Sequence, residues 1–383
     1  MVGLEHLLNE GFTKRQAVLF LNLMEQENNN TYYNHEYVQW AHANGFLADS
    51  AYAYGLTPVN ISEYLSDYEF YRLWPINNWT RVWINDKLTL KYLLSNTEYD
   101  YFMPKYYFYS LDKLKGVEVR RLVDCPDYLE QNEDGIIQLL IDVGDLACKP
   151  CNGSFSMGFF KLSYRNNNFF INDEICERVD IVSFINHHAN YLFIEYLYPS
   201  TQFKRIFPVI HTLRVVVINK DGINPKIVGG YLRFPNKTSG IANYTIVSGE
   251  HINDYNIVLD VNFETGKIGN ARLTYATQVK PTKFHPDTKA ILDNVIDDID
   301  GLKKIILGIA KRFNTIEFMG FDVGITENGF KCMEINSHSG IKYMQIFNPF
   351  LKDDYLRRYF LEKIEEINTL TVIEKRNRNM ILR

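Results

Sequence analysis

The sequence has few cysteines, and they do not form a disulfide pattern. Five cysteines, an odd number, are scattered along 383 residues, which fits free thiols in a reducing compartment better than a disulfide framework. Only Cys148 and Cys151 lie close together, and no second ligand pair at comparable spacing exists, so a structural zinc site is excluded. Redox chemistry is the alternative, but buried thiols beside a strand end are favoured.

The chain also lacks long hydrophobic runs and an excess of basic charge. Its longest apolar stretches, such as residues 215–218, are far shorter than the roughly 18 residues that a membrane span needs. Glu5 lies where the basic start of a signal peptide would be. With 41 basic and 46 acidic residues, the net charge of −5 argues against nucleic acid held by a general basic surface. We therefore expect a cytoplasmic protein with no membrane and no nucleic-acid partner.

What the chain has is material for a large core. Hydrophobic residues make up 46% of it, including 25 Phe and 26 Tyr, and this content excludes global disorder. The length predicts two or three domains. Because there is no internal repeat and no low-complexity linker, we expect these domains to be interleaved.

Hydrophobic spacing predicts a helical start followed by an α+β organisation. Helices are expected within residues 1–28, from Lys87 with Leu88, Tyr92 and Leu93 on one face, and at 180–190 and 287–313. Strands are expected at 136–140, 146–148, 159–162, 169–171 and 191–194, with four stronger strands between His211 and Asn336. Residues 32–83 are aromatic-rich and irregular, so we predict no regular element there. Their aromatic side chains could form a sugar platform, but packing is favoured.

The most informative segment is residues 321–336, where two predicted strands flank an Asn-Gly turn. Strand side chains alternate, so Glu334 and Asn336 share a face. A three-residue loop over 327–329 pairs Asp322 with Glu334 on that face, whereas a two-residue loop puts Asp322 on the other face. Two carboxylates and an amide oxygen suit Mg²⁺. A solvent-facing hairpin with hydrated acids is the alternative, which the apolar opposite face disfavours.

Residues 146–162 combine Lys149 with a Gly/Ser loop that contains Gly153, Ser154 and Gly158. Glycine lets backbone N–H groups approach phosphates closely, and Lys149 would supply a compact positive charge. The loop is not a Walker A loop, because no Gly-Lys-Ser/Thr opens a helix. Taken alone, an ordinary Gly/Ser hairpin turn is the simpler interpretation.

Several motifs in this order resemble the ATP-grasp superfamily, and within it the sugar-transfer-associated or capsule-type branch. They are Ile84-Asn85-Asp86-Lys87, Cys148-Lys149-Pro150 with its Gly/Ser loop, Phe193-Ile194-Glu195-Tyr196-Leu197, His211-Thr212-Leu213-Arg214-Val215 and the hairpin from Asp322 to Asn336. The resemblance spans roughly residues 60–348. It implies an α+β ATP-grasp fold in which two lobes grip ATP, with Mg²⁺, or Mn²⁺ in its place, as two bridging ions. The implied units are a helical N-terminal region (1–85), a small lobe (86–198) and a large lobe (199–383) with the metal hairpin and a C-terminal helix.

The resemblance also implies roles for individual residues. Lys87, Lys149, Gly153, Ser154 and Gly158 would bind ATP; Glu195, Tyr196 and Tyr198 would read adenine; Asp322, Glu334 and Asn336 would hold metals; Arg214, Arg233 and Asn243 would serve catalysis. Some simpler roles stay open: Lys87 as a surface lysine, Glu195 as a strand-end ion-pair partner and Asn243 as a turn cap. The stretch 200–202 lacks the acid that many relatives use for ribose.

Arg214 is expected in a buried strand, where an unpaired guanidinium is costly and an anionic partner is needed. A hairpin from Leu213 to Phe234 with an even-numbered loop would place Arg214 opposite Arg233. Two guanidinium groups that close repel each other unless an anion lies between them. We therefore expect an anion at this site, and the transferred phosphoryl group fits it.

The favoured function is an ATP- and Mg²⁺-dependent carboxylate-amine ligase that forms an amide through an acyl phosphate and releases ADP. A sugar acid, amino acid or peptide is the expected substrate, for cell-surface polysaccharide or a specialised metabolite. One alternative is an ATP-grasp kinase that phosphorylates a hydroxyl group. The other is a non-catalytic nucleotide-binding regulator, which the two lysines, the two acids and Asn336 disfavour. The sequence identifies neither the substrates nor the oligomeric state.

Overall fold

The fold consists of a helical N-terminal region and two antiparallel β-sheets. The computed structural model describes residues 3–152, 158–238 and 253–381, with side chains as far as residue 378. This mixture of helices and antiparallel sheets confirms the predicted α+β class.

The helices fall mainly at the two ends of the chain. They are α1 (Leu4–Asn9), α2 (Lys14–Asn28), α3 (His35–Ala43), α4 (Ala48–Tyr54), α5 (Asp67–Arg72), α6 (Val82–Asn85), α7 (Lys87–Leu94), α8 (Glu133–Val143), α9 (Arg178–His187), α10 (Thr201–Lys204), α11 (Ile299–Arg312), α12 (Lys342–Gln345), α13 (Asp354–Asn368) and α14 (Val372–Ile381). Short 3₁₀ turns lie at Ile61–Glu63, Trp79–Arg81 and Asp100–Phe102.

Leaving aside residues 153–157, which are not described, the first sheet contains seven strands. They are β1 (Tyr106–Asp112), β2 (Val117–Arg121), β3 (Asp145–Pro150), β4 (Phe160–Arg165), β5 (Asn168–Ile171), β6 (Glu174–Cys176) and β7 (Tyr191–Glu195). Their order is β2-β1-β7-β3-β4-β5-β6. Helices α8 and α9 pack on one face of this sheet and bury Ile136, Leu140 and Ile181.

Within the residues that the structure describes, the second sheet contains eight strands, where the sequence predicted four. They are β8 (Thr212–Ile218), β9 (Lys226–Phe234), β10 (Asn256–Val261), β11 (Lys267–Thr274), β12 (Val279–Pro281), β13 (Asn294–Val295), β14 (Phe318–Thr326) and β15 (Gly329–Asn336). The main order is β12-β11-β10-β9-β8-β14-β15, with β13 paired to β11. One face packs on α11 and the other on α12 and α13. The central strand β8 is therefore buried along its whole length.

The N-terminal region corrects the prediction that residues 32–83 lack regular elements. They form α3, α4 and α5, and two of these begin at side-chain caps: Asn34 accepts from Tyr37 N–H and Ser66 accepts from Glu69 N–H. The aromatic residues pack on one another, as in the stacked pair Tyr33 and Tyr52 with ring centres 5.4 Å apart. This observation supports packing over an exposed sugar platform.

One strand prediction and two helix predictions were wrong in detail. The run 136–140, predicted as a strand, belongs to α8, which starts where Asn132 accepts from Gly135 N–H; short apolar runs do not distinguish strand from helix. Helix α11 begins at Ile299 rather than at residue 287, because Asp298 caps it there. Helix α7 begins at Lys87 as predicted, but Tyr92 is exposed.

The inward face of α7 is occupied partly by a charged side chain. Lys91 is 1% exposed, and its ammonium group lies 2.9 Å from both Asp100 and Asp124. A buried ammonium group needs such partners, and both acids come from outside the helix. The face predicted from Leu88, Tyr92 and Leu93 is therefore rotated, and Leu90 and Leu94 share the buried side with Lys91.

Candidate active site

The β14–β15 hairpin places its two acids side by side, by a different route from the one predicted. The loop has two residues, because Thr326 pairs with Gly329. That register alone would put Asp322 on the face opposite Glu334. A β-bulge between Asp322 and Val323 shifts the pairing by one residue and sets Asp322 opposite Glu334. Asn336 follows on the same face, so the three candidate ligands converge.

Arg214 on β8 pairs directly with Asp322. Its Nε and Nη2 atoms donate to the two carboxylate oxygens, with Nη2 at 2.8 Å from Oδ2, and Asp322 is fully buried. The register of β8 and β14 sets these residues opposite each other. Arg214 thus has the anionic partner that its burial demands, and this partner belongs to the chain itself.

The predicted pairing of Arg214 with Arg233 was wrong. Arg214 lies opposite Tyr231, and Arg233 lies opposite Thr212, so the two arginines share a face but are offset along the strands. A β-bulge between Val216 and Val217 contributes to this register. Arg233 is 4% exposed, donates to Asn256 Oδ1 at 2.8 Å and has its guanidinium 5.0 Å from the centre of the Tyr343 ring.

The acidic pair is electrostatically unequal. Burial raises the pKa of Asp322; Arg214 opposes this rise and the charge of Glu334 adds to it. Burial also acts to raise the pKa of Glu334, but Lys87, at 4.0 Å, and a hydrogen bond from Asn336 outweigh it, so that this pKa is lowered. Glu334 is thus held as a carboxylate beside Lys87, and Asp322 is paired with Arg214.

Two lysines approach the acids from the side of the first sheet. Lys87, at the start of α7, donates to the Cys151 carbonyl at 3.4 Å. Lys149 on β3 donates to the Met333 carbonyl on β15 at 3.3 Å, so it bridges the two sheets. Burial, and then the charge of Lys87, lower the pKa of Lys149 to about 8. Both ammonium groups act on the Glu334 carboxylate and lower its pKa, and together they favour negative charge at this place.

The end of β7, together with the residues that follow it, links the two sheets. Glu195 accepts from Lys105 N–H at 3.0 Å, and its carboxylate is 3.9 Å from the ammonium group of Lys331 on β15. Tyr198 donates to Asp145 on β3, and the ring of Tyr196 lies 4.7 Å from the Lys161 ammonium group. The ion-pair role that the sequence left open for Glu195 is thus present.

Gly158 is the described part of the predicted phosphate loop. Its φ of +75° is a left-handed conformation, and a Cβ atom there would lie 2.5 Å from Tyr191 Oη. Glycine is therefore required by this backbone path. Gly153, Ser154 and Asn243 lie outside the described residues.

The donor chemistry of the acidic site fits Mg²⁺. Glu334, Asp322 and Asn336 supply hard oxygen atoms on one face, and a divalent cation would relieve the repulsion between two adjacent carboxylates. Asn336 presents its amide N–H group to Glu334 at 3.2 Å and to Asp322 at 3.5 Å. Serving as a ligand would require this amide to turn its oxygen toward the cation. The residue types therefore fit Mg²⁺, whereas the present orientation of the Asn336 amide does not.

Ser339 was not predicted from the sequence. Its hydroxyl group accepts from Arg214 Nη1, and the residue is 1% exposed. The sequence signal is the run Ser337-His338-Ser339-Gly340 directly after the acidic strand. Small polar residues that follow such a strand are candidates for loops that support its side chains.

The sequence of residues 85–353 matches the family of sugar-transfer-associated ATP-grasp proteins. The chain belongs to this family. ATP-grasp enzymes use ATP and Mg²⁺. No curated protein matches the sequence. Among the described residues, no helix has both the length and the apolar character needed to cross a membrane.

Several solved structures resemble this ATP-grasp chain at low identity. D-alanyl-alanine synthetase A from Vibrio cholerae is 14% identical, with 76% of this chain and 66% of that chain covered and a TM-score of 0.40. D-alanine–D-alanine ligase from Bacillus anthracis is 12% identical, with 79% and 72% covered and a TM-score of 0.35. The ATP-grasp ligase PsnB, in complex with a minimal precursor, is 14% identical, with 75% and 62% covered and a TM-score of 0.35.

The match thus spans slightly less than two thirds of the lengths of the synthetase and of PsnB. Structural similarity at these identities and TM-scores does not indicate an activity for this chain. Family membership therefore rests on the sequence match.

Proposed function

We propose that this protein is an ATP- and Mg²⁺-dependent carboxylate-amine ligase. The γ-phosphoryl group of ATP passes to a substrate carboxylate, giving ADP and an acyl phosphate. An amine then attacks the acyl carbon, the amide forms and phosphate leaves. The substrates we propose are a sugar acid, an amino acid or a peptide, used for cell-surface polysaccharide or a specialised metabolite.

The observation that carries this proposal is the convergence of charges from both sheets. Lys149 reaches from β3 to the carbonyl of Met333, next to Glu334, while Arg214 and Asp322 are paired on the neighbouring strands. Phosphoryl transfer depends mainly on positioning and on neutralising charge. Cations on one side and oxygen ligands on the other meet both needs.

In this proposal each group has a separate task. Lys87 and Lys149 bind ATP phosphates, together with the loop that contains Gly153, Ser154 and Gly158. Mg²⁺, held by Asp322, Glu334 and Asn336, would neutralise phosphate charge when bound. Arg214 steadies the transferred group with the N–H groups that Asp322 and Ser339 leave unused. Arg233 and Asn243 serve the same step from the substrate side, and Glu195, Tyr196 and Tyr198 bind adenine.

The proposed units follow the two sheets. Residues 1–85 form the helical N-terminal region, residues 86–198 contain the whole first sheet, and residues 199–383 contain the second sheet and α13. Adenine would then lie beside the connecting segment 195–198, where Glu195 and Tyr198 are already oriented by hydrogen bonds.

The test is ADP release from Mg²⁺-ATP with candidate acids, amines and alcohols, alone and in pairs. The proposal predicts fast ADP release only when an acid and an amine are both present, with an amide as the second product. Release with an alcohol alone would instead identify a kinase. Nucleotide binding without ADP release under every condition would identify a regulator.

A further inference from the structure

Ser339 holds the third nitrogen of the Arg214 guanidinium group. Nε and Nη2 of Arg214 donate to Asp322, and Nη1 donates to Ser339 Oγ. The two hydrogen bonds to the Asp322 carboxylate hold the Nε and Nη2 edge of the guanidinium group. The hydrogen bond to Ser339 holds the remaining nitrogen, Nη1. Arginine has five N–H groups, so three are used here and two remain for an anion.

Gly320 makes room for this contact. A Cβ atom on Gly320 would lie 2.3 Å from Ser339 Cβ, 2.4 Å from its Oγ and 3.5 Å from Arg214 Cδ. Gly320 lies in β14, opposite Val216 of β8 and Asn336 of β15. Ser339 therefore packs over the backbone of the sheet beside Arg214, at a place where a side chain on Gly320 would displace it.

The loop that carries Ser339 is fixed by the N-terminal region. Asn85 accepts from Ser337 N–H at 3.1 Å and donates to its hydroxyl group at 2.9 Å, and Asn77 donates to the Ser337 carbonyl at 2.9 Å. The ring of His338 stacks on Phe70 with centres 4.1 Å apart. Residues far apart in the chain thus determine where the serine hydroxyl group lies.

The geometry points to Ser339 as a positioning residue that aims the two remaining N–H groups of Arg214 at the phosphoryl group being transferred. This inference rests on the proposed function. Arginine recognises phosphate through a planar pair of N–H groups, so a rotated guanidinium group keeps its charge but loses the match. Ser339 acts through Arg214, and the Asn77 and Asn85 contacts set its place.

The test compares Ser339→Ala with the control Ser50→Ala, a buried serine of α4 whose hydroxyl group donates to Asp67 and takes no part in the Ser339 loop. Because small misplacements of a catalytic group are costly, Ser339→Ala should lower kcat about tenfold or more. Its KM for ATP should stay within about twofold of wild type, since Lys87, Lys149 and the Gly/Ser loop still bind the ATP phosphates in this proposal. Ser50→Ala should leave kcat unchanged. Equal falls in the two variants, or a change in KM alone, would overturn the inference.

A second readout needs no turnover. Affinities for Mg²⁺-ADP, with and without aluminium fluoride as a mimic of the transferred phosphoryl group, are measured for wild type and Ser339→Ala. Wild type should bind the ADP-fluoride complex more tightly than ADP, and the variant should lose most of that difference while its ADP affinity is kept. An undiminished difference in the variant would overturn the positioning role.

If the proposed function itself is wrong, the wild-type protein will release no ADP with any pair of acid and amine. In that case, crystal structures of wild type and Ser339→Ala decide the positioning role. A guanidinium plane that turns away from its wild-type orientation supports it, and an unchanged plane overturns it.

Discussion

The two sheets contribute charges to the site in different ways. On the second sheet, Arg214 and Asp322 are buried and paired across neighbouring strands, so their positions are part of the core. On the first sheet, Lys149 is half-buried and reaches across to a carbonyl at 3.3 Å. The charges of Arg214 and Asp322 are therefore fixed by the core of the second sheet. The charge of Lys149 instead reaches the site at the end of a long, flexible side chain.

This difference predicts how the two sides respond to mutation. Charges fixed in the core support both folding and chemistry, because removing one partner of a buried pair leaves the other without compensation. Lys149, whose ammonium group donates to a backbone carbonyl, should contribute to activity and little to stability. The predictions below test this separation, beginning with the largest effect.

Replacing Glu334 by Gln should reduce ADP release at least about a hundredfold, because a carboxylate that faces Lys87 and is proposed to hold the metal is lost from the site. The thermal unfolding midpoint should change little, since Glu334 is partly exposed and its nearest cation is 4.0 Å away. Steady-state ADP release and thermal unfolding measure the two effects. Glu327→Gln is the control, because it removes an exposed acid from the turn of the same hairpin. Activity of Glu334→Gln near that of wild type would refute the assignment of this acid.

Replacing Arg214 by Lys should lower kcat much more than affinity for ATP, by about tenfold to a hundredfold, because the charge remains but the planar N–H pair is lost. The free energy of unfolding should also fall by about 1–3 kcal/mol, since charged hydrogen bonds to Asp322 and Ser339 are lost. Arg178→Lys, at the exposed ion pair with Asp134, is the control for stability. If ATP binding were lost while turnover of bound ATP stayed unchanged, Arg214 would belong to ground-state nucleotide binding.

Replacing Lys149 by Met should lower kcat/KM for ATP about tenfold while leaving the free energy of unfolding unchanged or higher. The physical reason is that burial and the charge of Lys87 disfavour the charged ammonium group. Chemical denaturation and initial rates give both quantities. Lys113→Met, at an exposed ion pair of the same sheet, is the control and should leave the rate unchanged. A marked loss of stability in Lys149→Met would break the proposed contrast between the two sheets.

The smallest effect is expected at the segment that joins the sheets. Tyr198→Phe removes the hydrogen bond to Asp145 and should raise KM for ATP about threefold, with kcat unchanged. Tyr128→Phe removes an equivalent bond to Asp142 on α8 and should leave KM unchanged. Equal KM values in both variants would argue against a nucleotide-orienting role for Tyr198.

The sequence predicted the α+β class and the residue types that meet at the site. It did not predict how they meet. The pairing of Asp322 with Glu334 depends on a β-bulge, and alternation of side chains says nothing about where an extra residue enters a strand. The positions of Arg214 and Arg233 were missed for a related reason, because the loop length of their hairpin and a bulge between Val216 and Val217 together set which residues pair.

Local sequence patterns also could not predict the contacts that support the site, because these contacts join residues far apart in the chain. Asn77 and Ser337 are separated by 260 residues, and Lys91 is buried only because Asp100 and Asp124 come from other elements. Such contacts are decided by tertiary packing, which overrides local preference. Ser339 had a local signal, the polar run after the acidic strand, but its role depends on Gly320 leaving space beneath it.

The most direct test of the account is binding of Mn²⁺, used as a paramagnetic stand-in for Mg²⁺, together with a non-hydrolysable ATP analogue. Electron paramagnetic resonance reports the bound fraction of Mn²⁺ for wild type, Glu334→Gln and Glu327→Gln. We predict nucleotide-dependent Mn²⁺ binding in wild type and Glu327→Gln, and its loss in Glu334→Gln. Equal Mn²⁺ binding in all three proteins would contradict the assignment of the β14–β15 hairpin as the metal site.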